Sequence, residues 1–334
     1  MTATATDLVP SVDALFHHAY VIGGPDHGRE LGPVEAPEVL RGDTLGWVHL
    51  RAQHPDTPSW IVDNLSYLDP TIIDALVAEE TRPRVTRIGD GLIVILRGIN
   101  TNEGEDPEDM VSVRLWIDPE RIISLSRRKV RAIEDIAHDL ACGQGPHDCA
   151  EFLVALVERL THRIERFWAR IDDRADDLEE AVLDEAGPEI RATLGELRRQ
   201  AIILRRYLQP QRDAMRMLQA DHPEWLESDD LRQLAEELDA LERVVEDADA
   251  MRDRMALVRD ELGSQLSDRL NRNMYLLSIL SALFLPLGFL TGLMGINVGG
   301  LPGADDPNAF WVFCGLLAVV VALQLWILRK LRWI

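Results

Sequence analysis

Two stretches without a single charged side chain, both near the C-terminal end, constrain this 334-residue chain more than any other feature. Met274–Met294 reads MYLLSILSALFLPLGFLTGLM, and Ala309–Leu328 reads AFWVFCGLLAVVVALQLWIL. Each is about 20 residues and rises ~30 Å as a helix, the thickness of one bilayer core. Tandem runs of this kind, flanked by charge, predict a transmembrane hairpin rather than two buried helices of a soluble domain. Arg269 and Arg272 precede the first run, and Arg329, Lys330 and Arg332 follow the second. The connection Gly295–Asn308 has no lysine or arginine but holds Asp305 and Asp306. Basic flanks stay inside, so both termini are expected in the cytoplasm and the short connection outside. The opening MTATATDLVP lacks a basic-then-apolar leader pattern, which leaves the large front part in the cytosol.

That front part is acidic. The chain holds 57 aspartates and glutamates against 35 lysines and arginines, a formal charge of −22. Such a balance argues against nucleic acid as a partner, because phosphate binding needs a basic face, and it suits cations. Three cysteines (Cys142, Cys149 and Cys314) are too few for a disulfide framework.

Residues 1–150 read as a cytosolic α/β domain. RVTRIGDGLIVILRGIN (84–100) places Gly89-Asp90-Gly91 as a tight turn between two strands, and Asp118-Pro119-Glu120 separates VSVRLWID from RIISLS in the same way. Leu65–Glu80 and Val130–Leu140 read as helices. Residues 151–272 read as a helical stalk. Leu153, Leu156, Leu160, Ile164, Phe167, Ile171, Leu178 and Val182 recur at helical spacing, and Gly187-Pro188 stops that helix. A second helix is expected from Glu189 to Ala220, disturbed at Pro210. Ser228 then reads as an N-cap with Asp229 and Asp230 in the first turn, and no proline follows until Pro286. One helix from Ser228 to Met294 would be ~100 Å long, carrying the stalk into the hairpin of residues 273–334.

A seam runs along that helix. Stepping back from Gly295 by alternating three and four residues meets Gly292, Gly288, Leu285, Ser281, Ser278, Met274, Asn271, Ser267, Ser264, Asp260, Leu257 and Asp253. Alternating three and four is the line a helix presents to its neighbours in a left-handed bundle. A dry bundle fills that line with Leu, Ile or Val, whereas this one is mostly small, hydroxylic, amide or acidic. The apolar stripe lies beside it, at Met251, Met255, Val258, Leu262 and Leu266. The pattern predicts helices packing through the stripe while the seam faces water, although glycine and serine also serve close helix approach in membranes. Two spans cannot enclose a pore, so a ring of copies is required. Rings of Asp253 and Asp260 would draw cations, and Leu285 and Met274 would form the apolar constrictions.

At the outer end of the first run the residues become recognisable. Gly295-Ile296-Asn297 resembles the Gly-Met-Asn signature of CorA-type divalent-cation channels, and GINVGGLPG is similar to the loop of the ZntB zinc-transporter branch. The likeness extends to the whole plan, from the α/β domain to the basic tail RKLRWI. It implies an α+β membrane protein of the plasma (inner) membrane: a funnel-like homopentamer with long stalk helices and two C-terminal transmembrane helices, the first lining the pore. It also implies that Gly295, Ile296 and Asn297 form the pore mouth, where Asn297 meets the metal through metal-bound water. An amide oxygen can accept hydrogen bonds from that water without fixing the ion by full charge. Asp305 and Asp306 would attract cations in the outer loop.

The resemblance implies proton-coupled Zn²⁺ uptake, with no cofactor and no catalytic residue. A magnesium or cobalt channel is the alternative, and a non-conducting membrane-anchored coiled-coil scaffold or sensor is a third. The seam offers only oxygen donors, which suit hydrated Zn²⁺, Mg²⁺, Co²⁺ and Ni²⁺ alike, and neither run contains an aspartate, glutamate or histidine to relay protons. Three further features invite a metal reading: Cys142, His147, Asp148 and Cys149; the histidines His17, His18, His138, His162 and His222; and the acids Asp172, Asp173, Asp176, Asp177, Glu179 and Glu180. The plainer expectations are a glycine-rich turn, ordinary histidines and a solvated helix face. No nucleophile–base pair or phosphate-cradling loop points to an enzyme.

Overall fold

Short runs rich in β-branched residues pair into a six-stranded sheet in the computed structural model, which describes residues 15–78, 82–184, 187–296 and 307–331. The strands are β1 (Phe16–Val21), β2 (Gly46–Arg51), β3 (Arg84–Ile88), β4 (Gly91–Gly98), β5 (Val111–Asp118) and β6 (Arg121–Ser126). Their order is β1-β2-β6-β5-β4-β3, and β2 and β6 run parallel while the other neighbours run antiparallel. Both expected hairpins form. Gly89 takes φ +59° in the β3–β4 turn, a conformation that glycine adopts without strain. In the β5–β6 turn the Asp118 carboxylate accepts the backbone N–H groups of Glu120 (2.9 Å) and Arg121 (3.0 Å).

Helices cover both faces of the sheet. On one side α1 (Ala36–Val39), α2 (Thr57–Asn64) and α3 (Pro70–Val77) bring Ala36, Ile61, Ile72 and Leu76 onto Val48, Leu50, Ile93, Ile95, Ile123 and Leu125. On the other lie α4 (Arg131–Ala141), α5 (Cys149–Asp184) and α6 (Pro188–Ala220). There the rings of Trp47 and Phe152 are 5.0 Å apart, and a Cβ on Gly98 would lie 2.6 Å from Leu160. Coverage on both sides explains why β4 reads as an unbroken apolar run.

Two local expectations are corrected, and one is met. The helix expected over Leu65–Glu80 is only α3, because Pro70 pushes Asp69 out of helical geometry (ψ 134°) and the Asp69 side chain caps Thr71 at 2.7 Å. Residues 79 and 80 of that expectation lie outside the described residues. The helix expected from Glu189 to Ala220 forms as α6, with Pro210 inside its 33 residues. At the start of α7 (Ser228–Met294) the Asp230 carboxylate, rather than Ser228, takes an orphan donor, the N–H of Glu227 at 2.9 Å. The last element is α8 (Ala309–Lys330).

By packing, the chain divides into two compact units, Met1–Val258 and Arg259–Ile334. In the first, Arg87 binds Asp221 (3.1 Å) and the His222 carbonyl (2.9 Å), and Trp225 Nε1 donates to the Asp90 carbonyl at 2.6 Å. These bonds fix the α6–α7 connection to the β3–β4 hairpin. Arg254 reaches three carboxylates of α5: Asp172 at 3.0 Å, Asp176 at 2.5 Å and Glu179 at 2.9 Å.

Candidate functional site

Two described helices are long and apolar enough to cross a bilayer. Their apolar windows are 0% (α7) and 6% (α8) buried, whereas a core helix of a soluble protein would be mostly buried. The helical conformation of α7 is continuous for 67 residues, so the seam and the apolar stripe beside it belong to one element. Met251, Met255, Val258 and Leu262 are buried, while Leu266 is 41% exposed. Every seam position is exposed: Asp253 and Leu257 in the first unit, then Asp260, Ser264, Ser267, Asn271, Met274, Ser278, Ser281, Leu285, Gly288, Gly292 and Gly295 in the second. Ile296 is exposed as well.

Three polar groups of the seam, and Thr291 beside it, have local partners. Arg252 binds Asp253 at 3.2 Å and Arg259 binds Asp260 at 2.9 Å, both pairs well exposed. Ser278 Oγ donates back to the Met274 carbonyl at 2.8 Å, and Thr291 Oγ1 bonds the Leu287 carbonyl at 2.9 Å. Back-bonding of this kind satisfies a hydroxyl inside an apolar segment and leaves its lone pairs available to water or a hydrated ion. Among the described residues, and apart from its own helix backbone, nothing lies within 4 Å of a Cβ built on Gly288 or Gly292. At the helix end Gly295 N–H is shared between the carbonyls of Thr291 (3.0 Å) and Gly292 (3.1 Å). Asn297, Asp305 and Asp306 lie outside the described residues.

The structure brings together a pair that the sequence reading overlooked. Pro286 has no N–H, so the Ala282 carbonyl four residues earlier loses its helical partner. Gln324 of α8 supplies a replacement, its Nε2 donating to that carbonyl at 3.3 Å. Gln324 Oε1 is buried without a hydrogen-bond partner among the described residues. A lone amide in an otherwise apolar run was the available signal.

The other metal readings do not assemble. Among the described residues no group of three or more His, Cys, Asp or Glu side chains could hold a metal ion. Asp148 caps α5 by accepting the Glu151 N–H at 2.8 Å, and Glu151 reaches back to the His147 N–H at 2.7 Å. Burial pushes the Cys149 thiol up to about 12, Cys142 Sγ sits 3.9 Å from His138 Nε2, and His147 stacks on His27 at 4.1 Å. His17 and His18 stack near buried His49, whose ring nitrogens meet Ser124 (2.7 Å) and Ser126 (3.0 Å). His18 pairs with Glu134 at 3.0 Å. His162 lies 4.0 Å from Glu158, and His222 Nδ1 3.4 Å from the Pro223 carbonyl. Half of the acid cluster on α5 is engaged by Arg254.

Residues 42–330 match the family described as CorA-like Mg2+ transporter protein. The chain belongs to the CorA family. It is 38% identical over 321 residues to the divalent cation transporter CmaX of Pseudomonas aeruginosa, covering 95% of this chain and 96% of that one. It is 37% identical over 317 residues to the zinc transport protein ZntB of Pectobacterium carotovorum, with 95% of each covered. Among solved structures, full-length CmaX superposes with a TM-score of 0.78 at 37% identity, over 96% of this chain and 98% of that one. The α/β front domain, the long helix and the apolar C-terminal helix are thus the CorA-family fold, and members of this family are transporters.

Proposed function

We propose that this chain carries divalent cations, Zn²⁺ foremost, inward across the cytoplasmic membrane through a pore that α7 of five identical subunits encloses. The observation that carries the reading is the edge of α7 from Asp253 to Gly292. Polar and small residues repeat there at bundle spacing, and as far as Leu262 they are exposed beside a buried stripe of Met251, Met255, Val258 and Leu262. The names of the CmaX and ZntB relatives support the substrate class.

On this reading both termini are cytoplasmic, and the lipid bilayer surrounds the apolar parts of α7 and α8. Asn297 forms the outer ring and holds the incoming cation through its water shell. Asp305 and Asp306 concentrate cations at the mouth, and Asp260 and Asp253 do so at the inner end. Met274 and Leu285 are the apolar constrictions that close by dewetting. Proton coupling, where present, uses the loop acids or cytosolic groups, since neither span contains an acid or histidine.

Flux of Zn²⁺ into proteoliposomes, with and without an imposed pH gradient, tests the proposal. Wild-type protein conducts, Asn297→Ala loses most of the flux, and Asp260→Lys lowers it while the oligomer remains intact by size. No flux from the wild type, or unchanged flux in both variants, refutes the reading. A Mg²⁺ or Co²⁺ channel is the competing assignment favoured by the oxygen-only seam, and competition against Zn²⁺ in the same vesicles separates the two.

A further inference from the structure

Against the acidic average of the chain, bases gather where the two apolar runs meet their cytoplasmic flanks. Arg269 and Arg272 stand just before the first run on α7, and Arg329 and Lys330 just after the second on α8. All four are exposed, and Asp268 is the one acid in sequence between Glu261 and Asp305. Within the second unit the bond from Gln324 Nε2 to the Ala282 carbonyl sets the two helices side by side. Counted from that bond down an antiparallel hairpin, Lys330 is ~9 Å along α8, Arg272 ~15 Å along α7 and Arg269 ~20 Å. The bases are thus stacked over ~10 Å, about the depth of the headgroup layer on one side of a bilayer once the reach of long side chains is added.

The helical phase turns these bases outward. At about 100° per residue, Arg269 and Arg272 fall on the half of α7 away from the seam positions Ser267, Asn271 and Met274. On α8 the same count puts Leu328 about 40° from Gln324, on the side toward α7, and Leu328 is buried. Trp326, Arg329 and Lys330 lie about 120–160° round from Gln324, and all three are exposed. Lys330 Nζ sits 5.1 Å from the centre of the Trp326 ring. An indole beside a lysine at the end of an apolar helix is the arrangement that anchors a span at headgroup depth.

We infer that this belt binds anionic phospholipids of the inner leaflet through their phosphates. The inference rests on the transmembrane reading of α7 and α8. Guanidinium forks match phosphate oxygens two at a time, while the ammonium of Lys330 acts as a point charge. A lipid with net negative charge gains the attraction of several bases at once, whereas a zwitterionic lipid carries its own ammonium and gains less. The position of the belt also serves the proposed conduction. Its cations face away from the seam, so they hold lipid without opposing the passage of divalent cations.

Tryptophan quenching in proteoliposomes tests this on the full-length protein, with Trp326 as the local reporter. Brominated-chain phosphatidylglycerol is compared with brominated-chain phosphatidylcholine in mixed vesicles at fixed ionic strength. Phosphatidylglycerol is expected to be preferred by at least ~5-fold, the weight of one base near an anionic surface. Arg272→Gln combined with Lys330→Gln should bring the preference below ~2-fold with oligomer size unchanged, and Arg272→Lys should keep it. Arg232→Gln, at an exposed base near the start of α7, should change nothing. Equal quenching by the two lipids in the wild type, or an undiminished preference in the double variant, overturns the site. A fall in Arg232→Gln as large as in the double variant makes the effect one of overall charge and also overturns it. Displacement by soluble glycerol phosphate makes the belt a free-phosphate site and overturns the commitment to lipid. Protein that floats with neither vesicle refutes the transmembrane reading itself, a failure distinct from loss of lipid preference.

Discussion

Replacing Gln324 by leucine removes one hydrogen bond between two apolar helices and leaves their shape nearly unchanged. The bond matters because of Pro286. Without an N–H at position 286 the Ala282 carbonyl has no helical partner, and Gln324 Nε2 at 3.3 Å is the donor that reaches it. A hydrogen bond between membrane helices is worth roughly 0.6 kcal/mol on average and about 1–2 kcal/mol in model peptides. The 3.3 Å length argues for the lower half of that range, and the uncompensated Gln324 Oε1 offsets part of the gain. The expected cost of Gln324→Leu is therefore about 0.5–1 kcal/mol per subunit. The decisive measurement is a double-mutant cycle by detergent unfolding titration. Pro286→Ala restores an N–H to the Ala282 carbonyl, so Gln324→Leu should cost close to nothing in that background. Equal costs of Gln324→Leu in the two backgrounds would show that the side chain and the proline do not share the carbonyl, and the reasoning would fail.

Two further outcomes rest on the first unit. Arg254→Met leaves Asp172, Asp176 and Glu179 facing one another without their shared cation, and the partly exposed cluster should lose about 1–2 kcal/mol, less in high salt, as read by thermal unfolding. Lower pH should destabilise the same unit through His17 and His49. Burial lowers both, and pushes His17 down to about 4. Their neutral forms are favoured by folding, so the unfolded chain binds more protons once pH falls below about 6.5. Stability is full above that value and declines toward pH 4, with His49→Gln flattening the slope; an unchanged slope in that variant refutes the assignment.

Much of the fold was legible because its signals are local. The hairpins were visible in Gly89-Asp90-Gly91 and Asp118-Pro119-Glu120, and the long helix in the absence of proline between Ser228 and Pro286. An error arose where a neighbour overrides a propensity: the helix expected from Leu65 starts only at Pro70, whose ring keeps Asp69 out of helical geometry. The acids on α5 do form a largely exposed face, as expected, but Arg254, which pairs with three of them, lies about 80 residues away in sequence and was out of reach. The parallel pairing of β2 with β6 was equally out of reach, since it joins segments far apart in the chain.

The proposed pore lining poses a chemical question. Zinc binds most strongly to thiolate and imidazole, and the proposed lining has neither. A conduit that offered such ligands would hold the ion too tightly to release it, because conduction needs sites weak enough to leave. Hydroxyl, amide and backbone oxygens meet that requirement by binding the water shell. Speed is then obtained at the expense of discrimination, since hydrated Zn²⁺, Co²⁺, Ni²⁺ and Mg²⁺ present similar shells to such a lining. Selectivity on the proposed reading must therefore arise at a ring where part of the shell is exchanged, and Asn297 is the residue placed by the signature to do it. Asn297→Asp should accordingly slow Zn²⁺ release and shift the balance among cations, while substitutions at Ser278 or Ser281 should change conductance with little effect on that balance. Competition flux in proteoliposomes distinguishes these outcomes, and equal shifts from the serine variants would move selectivity from the mouth into the lining.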